Sequence, residues 1–153
     1  MSAQVFQFRG GVRRSAKPKP DSMAKAVEPQ KEQEPPIDTI NGIMPGSVQE
    51  WRVALALSRM KISFEFQRSI FGGRSMRGGQ VIDFWVYTVP LPTPVYVQGS
   101  YWHRRSKKTE NQLSIQAVKR AYKGHILDPV ELPEEELGSI GDAIKSLKRR
   151  LSL

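Results

Sequence analysis

A chain of 153 residues without a cysteine excludes a disulfide framework and any zinc site built on thiolates, and its two histidines exclude a histidine-rich one. No run of about 18 apolar residues is present, which excludes a transmembrane helix. The net charge of +9 favours a polyanionic partner.

Residues 1–44 are rich in Pro, Gln, Lys and Glu and have almost no periodic apolar pattern, so they cannot bury enough surface to offset the entropy of ordering. This predicts a disordered basic, Pro-rich arm over 1–44, followed by one domain of about 110 residues over 45–153. Within the arm, Phe6, Phe8 and the Arg-Gly-Gly at 9–11 are either a short docking motif for a protein assembly partner or part of an inert tail. The start of the chain lacks the apolar segment of a secretion signal, so the expectation is an intracellular, soluble protein, cytoplasmic or nucleoid-associated, with no membrane contact.

The first helix is predicted over 48–60. Pro45 and Gly46 break the chain, Ser47 is placed to cap, Glu50 follows at the capping-box spacing, and Val48, Trp51 and Leu55 form a stripe. Next, Ile62, Phe64 and Phe66 alternate with Ser63, Glu65 and Gln67, the period of a half-buried strand. The sequence GGRSMRGG at 72–79 then reads as a flexible basic turn carrying Arg74 and Arg77. Residues 81–87 are nearly continuous in apolar and aromatic side chains, as for a strand covered on both faces, with Asp83 as their only charge. Pro90, Pro92 and Pro94 mark an irregular connection, and Val95, Tyr96 and Val97 form a third strand ending at Gly99.

A second helix is predicted over 109–122, with Ile115, Val118 and Tyr122 on one face and Gly124 as its stop. Residues 125–127 read as a short fourth strand before Asp128-Pro129. The last helix starts near Ser139 with Asp142 as capping partner and carries Ile140, Ile144, Leu147 and Leu151 on one stripe. Helix, three strands, helix, strand, helix is the order of an α/β fold with a mixed sheet flanked by helices.

A lone carboxylate buried in a strand requires compensation by a cation. For Asp83 that is either a divalent metal or an arginine, the latter making it a structural ion pair. Glu50 is explained by the capping box and equally placed for an acidic site residue on the first helix. His103 is either a general acid or base or a half-buried histidine satisfied by the backbone. Arg74, Arg77, Arg104, Arg105, Lys107 and Lys108 flank this region and suit successive phosphates, or a solvated face. Tyr101 and Trp102 either stack on bases or belong to the core.

The helix with an early Glu, the Gly-rich turn, the strand with Asp83-Phe84 and the strand ending QGSYWH at 98–103 together resemble the very short patch repair endonucleases. The wider group is the PD-(D/E)XK, or restriction-endonuclease-like, superfamily. The resemblance implies that fold and a Mg2+-dependent DNA endonuclease, with Asp83 as principal metal ligand and the Val97 carbonyl as another. It implies that Gln98 stands where the repair enzymes carry a His, that His103 matches their second His, that Tyr101 and Trp102 match their inserted aromatics, and that Glu50 matches their helical acid. Position 98 being Gln and position 100 Ser, the acid and lysine of the usual (D/E)-x-K element are absent. The alternative is a catalytically degenerate nuclease-fold protein that binds nucleic acid or serves as a structural component of a larger assembly.

Overall fold

The computed structural model describes residues 33–99 and 105–153, with side chains in the second stretch from Glu110 onward. The expected arm therefore lies mostly outside the described residues. The described residues form one compact unit over Pro35–Leu153. The sequence places the start of the domain at residue 45. In the structure Ile40 is only 4 % exposed and packs into the core, and Trp51 Nε1 donates to the Pro35 carbonyl at 3.2 Å, so the packed unit reaches upstream of Pro45.

The elements are α1 (Val48–Arg59), β1 (Phe64–Ile70), β2 (Gln80–Val86), β3 (Thr93–Gln98), α2 (Arg105–Ala121), β4 (Val130–Pro133) and α3 (Ile140–Arg150), with a 3-10 turn at Glu134–Glu136. The strands lie in the order β1-β2-β3-β4. β1/β2 and β2/β3 are antiparallel and β3/β4 is parallel, the crossover being α2. No helix among the described residues is long and apolar enough to cross a membrane.

Both faces of the sheet are covered. On one, Trp51, Val53 and Leu57 of α1 and Ala143 and Leu147 of α3 pack on Phe66, Phe84, Val86, Val95, Val97 and Leu132. On the other, Val118 of α2, with Ile115 and Tyr122, packs on Ile70, Ile82, Trp85 and Tyr96. Caps start two of the helices as their sequences require. The Ser47 hydroxyl accepts from Glu50 N–H, and the Ser139 hydroxyl from Asp142 N–H. Glu136 accepts from Ser146, Arg149 and Arg150, which ties the basic end of α3 to the turn before it and holds the Glu136 carboxyl down to about 2.

β1 runs on to Ile70, past the alternation at 62–67, and β3 starts at Thr93 with Pro94 inside it, paired with Trp85, not in the irregular connection; two further elements differ from the sequence expectation. The fourth strand is Val130–Pro133, beyond Pro129, where residues 125–127 had been expected. His125 N–H closes a turn on the Tyr122 carbonyl and Leu127 N–H donates to the Pro92 carbonyl, so the chain pairs with β3 only from Val130 onward. α2 begins at Arg105, ahead of the apolar stripe that signals it, because a helix continues through polar residues once nucleated.

Phe84 sits at the centre of the α1/α3 side, fully buried, with Phe64 edge-on at 5.5 Å and Phe66 tilted at 5.0 Å. Phe84→Ala should lower the unfolding free energy by roughly 3–5 kcal/mol, measured by urea denaturation.

Candidate functional site

The alternation of β2 breaks at Asp83. Phe84 and Val86 point to the α1/α3 side, whereas Ile82 joins Trp85 on the α2 side, so the apolar face changes across this residue. Across the ladder, Gln67 takes a left-handed φ of 55°, and Phe66 and Ile70 also belong to opposite faces. A matched distortion in two paired strands re-aims the side chains it contains.

β2 also separates from β3 here. Their pairing runs Val86↔Thr93, Trp85↔Pro94 and Phe84↔Val95 and goes no further. Val97 N–H is thereby left without a ladder partner, and Asp83 Oδ2 accepts from it at 2.8 Å. In an extended strand the N–H and C=O of one residue point to the same edge, so the Val97 carbonyl lies on the edge that faces Asp83.

Glu50 and Arg74 complete the surroundings of Asp83. Burial pushes its carboxyl up to about 7, the Val97 N–H holds it down, the Glu50 charge raises it and the Arg74 charge lowers it. Glu50 takes part in the helix cap, and its charge also reaches Asp83. Its N–H donates to Ser47, and its Oε2 accepts from the Ser47 hydroxyl at 3.2 Å. Arg74 is positioned by the turn at 71–79. Gly73 N–H bonds to Ile70 O, Met76 N–H to Gly73 O, and Gly79 N–H to Met76 O. A Cβ on Gly79 would run into the Gly73 carbonyl, so the turn closes only with glycine there. Arg77 is exposed on the same turn.

Gln98 is not free. Its Nε2 donates to Glu131 Oε1, which also accepts from Asn111 Nδ2 at 3.0 Å. Glu131 is the Cα partner of Tyr96 in the parallel β3/β4 ladder, and Tyr96 is 7 % exposed with no hydrogen-bond partner for its hydroxyl. Sequence reasoning missed Glu131, Tyr96 and Asn111. Glu131 carries the signal that identified Asp83, a lone acid in a short strand, but the fourth strand had been placed at 125–127.

Tyr101, Trp102, His103 and Arg104 lie outside the described residues. Arg105, Lys107 and Lys108 fall in the first turn of α2, where only the backbone is described. The structure therefore brings together Asp83, Val97, Glu50 and Arg74, with Gln98 one residue along β3. A separate cavity of about 500 Å³ at the C-terminal end of α2 shares none of these residues and is lined by Lys119, Arg120 and Lys123 beside Asp128.

Among the described residues no three His, Cys, Asp or Glu side chains gather into a metal cage. The donor set of one carboxylate and one carbonyl, with a second acid nearby, fits Mg2+, which retains several waters and needs only one or two carboxylates. It does not fit a structural zinc ion. No protein-family model, curated protein or solved structure gives a significant match to this chain.

Because Asp83 titrates near 7 when folded and at 3.8 ordinarily, the native chain holds a proton that the unfolded chain releases between these values. The stability from this group is full below about pH 4 and is lost as pH rises through about 7. Asp83→Asn keeps an oxygen for Val97 N–H and carries no charge. In EDTA it should match the wild type near pH 4 and exceed it by on the order of 3 kcal/mol at pH 8, measured by urea denaturation at both pH values.

Proposed function

We propose that this chain is a Mg2+-dependent DNA endonuclease of the restriction-endonuclease-like type. The observation that carries this reading is Asp83, a half-buried carboxylate set at the parting of β2 and β3 beside the Val97 backbone, with Glu50 and Arg74 close enough to alter its ionisation. A structural ion pair would hold the Asp83 carboxyl below its ordinary value. Instead burial outweighs Arg74, leaving the group without the compensation that a bound cation supplies.

In this reading Asp83, deprotonated, and the Val97 carbonyl hold the ion, and Glu50 adds a second negative charge. A bound Mg2+ supplies Lewis-acid stabilisation of charge on the scissile phosphate. Arg74, whose charge reaches Asp83, is assigned to neutralising a phosphate oxygen. His103, five residues beyond β3, is assigned to orienting the attacking water. Tyr101 and Trp102 are assigned to stacking on bases, and Arg77, Arg104, Arg105, Lys107 and Lys108 to the flanking phosphates. The basic cavity of Lys119, Arg120 and Lys123 supports a polyanionic partner on the same helix.

A second reading, a nuclease scaffold that binds nucleic acid without cutting it, is favoured by one specific observation. Position 98, where the resemblance places a His, carries an amide, which moves no proton and whose NH2 group donates to Glu131.

Supercoiled, branched, mismatched and single-stranded DNA incubated with the chain and Mg2+ separates the two. Cleavage by the wild type that Asp83→Asn abolishes, with DNA affinity retained, establishes the enzyme; DNA binding without cleavage establishes the scaffold. For the enzyme, the Mg2+ concentration needed for half-maximal cleavage should rise roughly tenfold per pH unit below about 7, because the ion competes with the Asp83 proton.

A further inference from the structure

Four exposed residues of α2, Gln116, Lys119, Arg120 and Lys123, recur at helical spacing and form a face separate from Ile115, Val118 and Tyr122, which pack on the sheet. The chain reverses beyond them at Gly124, whose φ of 84° is left-handed, and Leu127 N–H fixes the returning segment by donating to the Pro92 carbonyl. The half-buried Ile126, Leu127 and Pro129 of that segment line, together with the helix face, a cavity of about 500 Å³. Its charge is one-sided, with three cations against Asp128 alone. Lys119 meets Asp128 at 3.7 Å, but the Asp128 side chain is 92 % exposed, so water screens the pair. Among the described residues Arg120 and Lys123 make no ion pair. Cations near the end of a helix suit its dipole, but that role requires neither a cavity nor an apolar wall beside them.

We propose that this cavity binds a nucleoside phosphate, with the base against Ile126, Leu127 and Pro129 and the phosphate on Arg120, Lys123 and Lys119, the last exchanging Asp128 for it. The cavity falls within the roughly 300–1,000 Å³ that small-molecule sites occupy. An apolar wall alone would suit any hydrophobe, and a basic rim alone any anion. A flat, largely apolar ring joined to a phosphate satisfies both. In a duplex the base is stacked and paired, so an unpaired nucleotide is the form of DNA able to enter. The inference rests on the DNA part of the proposed function and adds a substrate class to it, single-stranded or branched DNA; a free nucleotide has the same chemistry and is the other source. Because the cavity shares no residue with the Asp83 site, it anchors the strand and takes no part in cleavage.

The test uses the full chain in EDTA, where metal-dependent cleavage is off. Three chains are compared: the wild type, Arg120→Gln/Lys123→Gln, and Lys145→Gln/Lys148→Gln, which removes the same charge from exposed positions of α3. All substituted side chains are exposed, and thermal denaturation checks that each chain is folded. Fluorescence anisotropy measures binding of a labelled single-stranded oligonucleotide and of its blunt duplex; calorimetry measures dAMP, deoxyribose 5-phosphate and deoxyadenosine. The α2 variant should bind the single strand roughly 10-fold or more weakly, with a salt slope smaller by about 1.4 for two lost contacts at about 0.7 each. It should also lose dAMP, which the wild type binds more tightly than either fragment, while the α3 variant keeps both ligands. Equal losses in the α3 variant overturn the inference, because net charge then explains them. A wild type that binds dAMP no better than deoxyribose 5-phosphate also overturns it, since no base then sits in the cavity. Loss of dAMP with single-strand affinity unchanged supports the site and makes its ligand the free nucleotide. A chain that binds no DNA in any form defeats the proposed function, and the dAMP titration then decides the cavity by itself.

Discussion

The hydrogen bond from Val97 N–H to Asp83 is the interaction around which the sheet is arranged. Without it, the point where β2 leaves β3 would bury an unpaired backbone donor. With it, the strands can part, and a carboxylate stands in the opening where a backbone carbonyl would otherwise be. The left-handed turn of Gln67 and the change of face at Asp83 belong to the same adjustment. Each alters the pleat so that the side chain reaches across to β3 instead of standing above or below the sheet.

Electrostatics follow from that placement. Asp83 is enclosed by elements whose other members are mostly apolar, so burial dominates its ionisation and a single arginine does not reverse it. On the far edge of β3, Glu131 accepts from two amides. Two carboxylates thus lie on opposite edges of one strand, which also carries the buried Tyr96.

The supporting parts are more ordinary. α1 starts at a serine cap whose glutamate partner also faces Asp83, so one residue serves both the helix and the site. The Gly-rich turn delivers Arg74 through a backbone approach that only glycine permits at position 79. α3 packs beside α1 on the same face of the sheet, with Glu136 gathering Arg149 and Arg150, which commits these cations to the fold.

Local rules were enough to read the caps at Ser47 and Ser139, the helices they start and the strand around Asp83, because each depends on spacing within a few residues. The same rules misplaced the fourth strand, since His125-Ile126-Leu127 looks like a strand until the turn at Tyr122 and the bond from Leu127 to Pro92 are known. They singled out Asp83 and Glu50 and passed over Glu131 and Tyr96. What the sequence alone determined is the order of elements and the odd charge inside an apolar strand, both written in consecutive residues. Only the tertiary structure decided which groups meet: Asp83 with Val97 across 14 positions, and Gln98 with Glu131 across 33. Those meetings depend on where strands stop pairing, and that is settled by packing on both faces of the sheet at once, not by any local pattern.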